Sequence, residues 1–205
     1  MVWIKLGILI IGFIYAGLIP LTLRRVIRKI SFNLREETLS FLSNKALYDK
    51  RLVKGYTRLL FITALLHYAF FWLLSHYYDL GQNEVYMQYM LYSFILLTLL
   101  AFVPHNMKPY SFKNLSSSMQ RLLHNLLAVV VFLTLPLLIV IFLTAIVNSL
   151  PFLGITGFVI IGCTAFFTLF SLIRHGLTGV CEMIFITGVS LWTIFVTIFT
   201  VLHTG

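Results

Sequence analysis

Charge is scarce in this chain. Asp, Glu, Lys and Arg make up 10% of its 205 residues, against 60% hydrophobic residues, a balance that excludes a soluble domain of this length. Cysteine is scarcer still. Cys163 and Cys181 are the only two, and without CxxC spacing or an oxidising location they predict neither a disulfide nor a zinc ribbon; both read as small packing residues. No Gly-rich phosphate loop, HExxH pair or Gly-x-Ser-x-Gly elbow occurs, so no motif marks a nucleotide site, a zinc protease or an α/β-hydrolase. Six acidic residues face fifteen basic ones, a formal charge of +9. A basic edge against anionic lipid headgroups accounts for that charge, and no nucleic-acid partner is expected.

What the chain does have is long apolar runs. Crossing roughly 30 Å of hydrocarbon takes about twenty residues of helix, and six runs qualify, at 6–23, 59–78, 85–103, 122–147, 152–173 and 183–202. The expected fold is all-α, a polytopic bundle of six transmembrane helices forming one domain over residues 1–205. Fourteen of the fifteen Lys and Arg residues lie in the loops after the first, third and fifth runs or at their edges, ten of them between residues 24 and 58. Basic residues stay on the cytoplasmic side, so the loops 24–58, 104–121 and 174–181 are predicted to be cytoplasmic and both termini extracytoplasmic, in a prokaryotic inner or plasma membrane. Lys5 is the exception. The loops 79–84 and 148–151 carry no Lys or Arg, and Trp3, Trp72, Tyr77, Tyr78 and Tyr86 gather at the outer ends as an aromatic belt. Arg24, Arg25, Arg28 and Lys29 follow the first run where a signal peptide would carry a cleavage site, which predicts an uncleaved first helix.

Between the runs, Ile27, Ile30 and Leu34 followed by Leu39, Phe41 and Leu42, with charges interspersed, predict a short amphipathic helix at the inner interface. Pro104 and Pro109 bracket a non-helical loop, and Ser116, Ser117 and Ser118 offer caps before the fourth span. Gly154, Gly157, Gly162 and Ala165 share one side of the fifth helix and permit close contact there. Pro136 frees the carbonyl of Phe132 within the fourth helix.

Polar groups at membrane depth are costly unless they face the bundle interior. At roughly 100° per residue, Glu182, Thr193, Thr197, Thr200 and Thr204 form one stripe on the sixth helix, predicted to face inward. Arg121 and His124 project together from the start of the fourth helix. With His105, Arg174, His175 and Glu182 they lie at the inner ends of the helices, either as one site or as separate residents of the headgroup layer. An ion pair of Arg121 with Glu182, within roughly 4 Å, is expected there. His67 lies mid-membrane, where an interhelical hydrogen bond is expected to hold it. Haem on His76 and His203 is disfavoured, since His67 has no imidazole partner at equal depth; no cofactor and no metal site is expected.

The segments Phe102-Val103-Pro104-His105-Asn106-Met107-Lys108, Gln120-Arg121-Leu122-Leu123-His124 and Gly179-Val180-Cys181-Glu182-Met183, with Leu191-Trp192, resemble the multi-pass membrane proteins of the domain of unknown function 998 family. That family carries a Phe-Pro-Met-His-x-Arg-like loop, an Asp-x-x-His at the next helix start and Gly-Leu-x-Glu-Arg opening a late helix. Glu37-Thr38-Leu39-Ser40 stands where the family has Ser-Glu-Leu-Ser. The resemblance runs through almost the whole chain in order and spacing. It departs at Arg121, which replaces the Asp, at Met183, which replaces the Arg, at Thr38, and at His105, which directly follows Pro104. His124 and Glu182 match. A site needing the Asp-x-x-His pair is not carried over, because Arg121 is a cation and repels a metal.

The leading expectation is an integral membrane protein whose cytoplasmic helix ends, with His105, Arg121, His124, Arg174, His175 and Glu182, bind a lipid headgroup or a membrane protein partner. The alternative is a lipid-acting hydrolase with His124 as base, Glu182 as its acidic partner and Ser40 as nucleophile. A small transporter with His67 at its midplane is the third reading.

Overall fold

The computed structural model describes residues 2–106 and 115–203; Pro109 and Thr204 therefore lie outside the described residues. Among the described residues are six helices long and apolar enough to span a membrane, α1 (Val2–Ile27), α2 (Lys50–Tyr77), α3 (Glu84–Phe102), α4 (Leu115–Ile146), α5 (Pro151–His175) and α6 (Gly179–Leu202). At the basic end, α2, α4 and α6 start earlier than their apolar runs. Apolarity marks only the hydrocarbon layer, whereas the backbone hydrogen-bond ladder continues until a cap or breaker intervenes. Asp49 caps α2 by accepting the Leu52 N–H at 2.6 Å, and Asn83 caps α3 through the Tyr86 N–H at 3.3 Å. Pro151 opens α5, where its missing donor costs nothing. Ser116, Ser117 and Ser118 fall inside the first turns of α4 rather than before it.

Each helix packs on its neighbours in sequence, and α1 also packs on α6, closing a ring. The buried face of α6 carries the centre of the core. Trp192 stacks on Phe71 of α2 at 5.6 Å and meets Phe142 of α4 edge-on at 5.9 Å. Glu182, Thr193, Thr197 and Thr200 are all buried, so the polar stripe faces inward as expected. Thr193 and Thr200 donate to carbonyls one turn back, and the Tyr78 hydroxyl lies 2.7 Å from Thr200.

α1 lies close against α6 at Gly12, where any side chain would collide with Thr197 and with Phe70 of α2. On α5 only half of the small-residue face is used. A Cβ at Gly154 would lie 2.7 Å from Val147, and one at Gly157 would strike Leu143, whereas Gly162 faces open space and Ala165 is exposed. α4 and α5 are thus pinned together beside their connecting turn, while towards the basic end Leu126, Val129 and Leu133 of α4 are exposed.

Lys5 is accounted for at the opposite end, where its ammonium donates to the His203 carbonyl at 2.5 Å and sits over the Tyr77 ring. Trp3, 83% exposed, suits an interfacial belt, but Tyr86 does not: it is fully buried and donates to the Phe71 carbonyl.

The amphipathic helix expected between residues 24 and 58 does not form. Asn33 accepts the Arg35 N–H, and Glu37 accepts the Asn33 N–H at 2.8 Å, local side-chain bonds that compete with a helical ladder. The chain turns back instead, and a single 3-10 helix, Leu39–Ser43, follows. Its apolar residues sink between the helix ends rather than lying flat, so that Leu39 and Leu42 join Leu23, Phe32 and Leu59 in a second core.

Candidate functional site

Three connections meet at the basic end. The N-terminus of α6 lacks a side-chain cap from Thr178, and the 34–39 segment supplies the missing partners. The Gly179 N–H donates to the Glu37 carbonyl at 2.8 Å and the Val180 N–H to the Leu34 carbonyl at 3.0 Å. In return Glu182 Oε2 accepts the Leu39 N–H at 2.5 Å. This is the logic of a capping box, with the reciprocating backbone drawn from a remote loop. Gly179 is required, since a Cβ there would lie 2.8 Å from the Glu37 carbonyl oxygen.

The 3-10 helix held by this clamp reaches the α3–α4 connection. Ser43 donates to the Ser40 carbonyl at 2.7 Å and accepts the His105 N–H at 2.8 Å. From α4, Gln120 and His124, one turn apart, reach the same connection. The Gln120 amide donates to the Pro104 carbonyl at 3.0 Å, and His124 Nδ1 lies 2.6 Å from the Val103 carbonyl. A carbonyl only accepts, so Nδ1 carries the proton and Nε2 keeps its lone pair. The His105 and His124 rings meet edge to face at 5.2 Å.

A cavity of about 300 Å³ opens here, walled by Thr38, Ser40 and His105 on one side and Arg121 and Asn125 on the other. Val129 of α4 and Leu177 of the α5–α6 connection, both exposed, give it an apolar edge. Among the described residues no carboxylate lines it. Burial, with smaller contributions from the neighbouring His124 ring and the Arg121 guanidinium, pushes the His105 pKa down to about 4, leaving that ring neutral. Its Nδ1 is buried without a hydrogen-bond partner, as is His124 Nε2. The wall offers one guanidinium, hydroxyl and amide donors, and neutral imidazole, a set suited to an anion. Among the described residues no group of three or more His, Cys, Asp or Glu side chains is placed to hold a metal.

Of the residues singled out in the sequence, Ser40, His105 and Arg121 line the cavity, and His124 packs behind His105. Glu182 stays outside the wall and holds Leu39, next to Ser40. The expected ion pair of Arg121 with Glu182 is not formed, because the carboxylate is engaged by the loop backbone and Arg121 faces the cavity with His105. Arg174 and His175 are exposed and take no part; Arg174 lies over the Phe170 ring. No hydrogen bond joins Ser40, His124 and Glu182. Sequence reasoning missed Thr38, Ser43, Gln120 and Asn125. Gln120 and Asn125 were within reach, flanking Arg121 and His124 on the first turns of a helix. His67 bonds Tyr15 of α1 at 3.0 Å and is 1% exposed, the interhelical bond expected of it.

Comparison with protein-family models, with curated proteins and with solved structures finds no match to this chain.

Proposed function

We propose that this chain is a multi-pass protein of a prokaryotic inner or plasma membrane, with its basic end in the cytoplasm and both termini on the other side, that binds the phosphate of a membrane lipid headgroup. The observation that carries the reading is the cavity at the basic end, whose wall is cationic and neutral-polar, free of carboxylates among the described residues, and bordered by the apolar side chains of Val129 and Leu177. An amphiphile with an anionic head fits such a wall, because Arg121 presents a planar fork to phosphate while Ser40, Thr38 and Asn125 supply neutral donors. Glu182 does not touch the ligand; it holds the 3-10 helix in place. Binding without catalysis is favoured, since Glu182 Oε2 and His124 Nδ1 bond the backbone and neither side chain bonds Ser40. We also place the chain as a divergent member of the domain of unknown function 998 family, on the order and spacing of its motif-like segments.

The test is lipid retention by the purified full chain in detergent. Phosphatidylglycerol should be retained over a phosphate-free diacylglycerol, and Arg121→Gln should retain less phosphatidylglycerol than the parent chain. Equal retention of both lipids by the unaltered chain would remove the reading.

A further inference from the structure

A second feature, separate from the cavity, runs along the outer junction of α5 and α6. The two helices cross tightly at one point, where a Cβ at Gly188 would collide with Thr164, and the small residues at the crossing leave a groove of about 710 Å³ on the outer side. Val159, Cys163 and Phe167 form one wall, and Ile184, Thr187 and Leu191 the other. From Val180 at the basic end to Leu191, the groove spans about 16 Å at 1.5 Å per residue, close to half of the roughly 30 Å hydrocarbon layer. It therefore occupies one leaflet.

Its mouth is charged. Arg174 follows Cys163 by eleven residues and Phe167 by seven, both close to whole turns of a helix, so it stands on the same face of α5 above the groove. It is exposed, its guanidinium 5.8 Å from the Phe170 ring. Arg35, exposed as well, adjoins Leu34 where that residue closes the same end of the groove. An apolar slot one leaflet long with cations at its headgroup end matches one kind of occupant. We infer that the α5–α6 groove holds an acyl chain of an anionic phospholipid, whose phosphate is met by Arg174 and Arg35. A second copy of the chain fits less well, since in the same membrane a two-fold contact along this groove would set Arg174 against Arg174.

The inference is independent of the headgroup cavity, with which the groove shares no lining residue. The protein carries its own reporter, because Cys163 is exposed in the groove while Cys181 is buried. The labelling rate of Cys163 by a membrane-soluble maleimide is measured on the full chain in detergent, with phosphatidylglycerol or phosphatidylcholine added. Phosphatidylglycerol should slow labelling at least tenfold at concentrations where phosphatidylcholine has no effect. The protection should vanish in Arg174→Gln and persist in Arg121→Gln, which separates this site from the cavity. Equal protection by the two lipids means unspecific annular lipid and overturns the inference. So does protection by neither lipid, or protection that scales with protein concentration and thus reports a second copy.

Discussion

Glu182, in the first turn of α6, accepts the backbone N–H of Leu39, 143 residues earlier in the chain. Together with the Gly179 and Val180 donors to the 34–37 carbonyls, this bond turns a charged loop into one wall of a cavity. Glu182→Ala leaves a buried N–H unpaired and should destabilise the protein by about 1–3 kcal/mol, opening the 34–43 segment to protease. Glu182→Gln keeps an acceptor oxygen and should stay within about 1 kcal/mol of the parent. Thermal unfolding in detergent, paired with limited proteolysis, measures both. An unaffected Glu182→Ala protein would mean that the clamp is incidental. Because Arg121 is not the partner of Glu182, the double-mutant cycle of Arg121→Ala with Glu182→Ala should be additive within about 0.5 kcal/mol.

Tyr15 and His67 share one bond between α1 and α2. Hydrogen bonds between membrane helices contribute about 0.6 kcal/mol on average, so Tyr15→Phe and His67→Gln should each cost about 1 kcal/mol at most and should not add when combined. Lipid retention should be unchanged in both. Complete loss of retention in a folded His67→Gln protein would instead assign the midplane histidine to ligand or proton handling.

His105 provides the pH dependence. Its pKa is pushed down to about 4 by burial and, less, by the neighbouring His124 ring and Arg121 guanidinium, whereas in the unfolded chain a histidine titrates near 6.5. Between those values the unfolded chain binds the proton that the folded one refuses, so stability should fall as pH drops from about 6.5 to 4. A phosphate in the cavity reverses the local field and raises the pKa of His105, so binding takes up a proton. Retention of phosphatidylglycerol should therefore strengthen from pH 7 to pH 5 and do so less in His105→Gln. Identical pH profiles for the two proteins would exclude His105 as the titrating group.

The helices were legible because 60% hydrophobic content in a chain this long leaves few alternatives. So was the inward stripe of α6, since a 3.6-residue period carries it. The 34–43 segment was not legible. Its alternation of charge with Leu39, Phe41 and Leu42 fits an interfacial helix, and only the gap between the helix ends, a tertiary feature, makes a 3-10 plug the better burial. Gly162 was misread for a related reason, as a small residue allows a close neighbour without requiring one. The Arg121–Glu182 pair failed because backbone N–H groups, which a sequence does not display, satisfied the carboxylate first.

Orientation is testable without the ligand. Single cysteines at Lys45 and at Gln82, in a Cys163→Ser, Cys181→Ser background, are exposed to an impermeant maleimide in intact cells. The Gln82→Cys protein should be labelled and the Lys45→Cys protein only after lysis. The reverse pattern would invert the topology and move the basic end away from the anionic leaflet.

The most direct measurement of the central claim is the number of phosphatidylglycerol molecules that survive on the full chain in native mass spectrometry. A charge-assisted hydrogen bond contributes about 1.5–3 kcal/mol, a tenfold or greater change in affinity. Arg121→Gln should therefore carry one lipid fewer than the parent protein, and Arg51→Gln, which alters an exposed arginine away from the cavity, should carry the same number. An Arg121→Gln protein that keeps its full complement of lipid would contradict headgroup binding in the cavity.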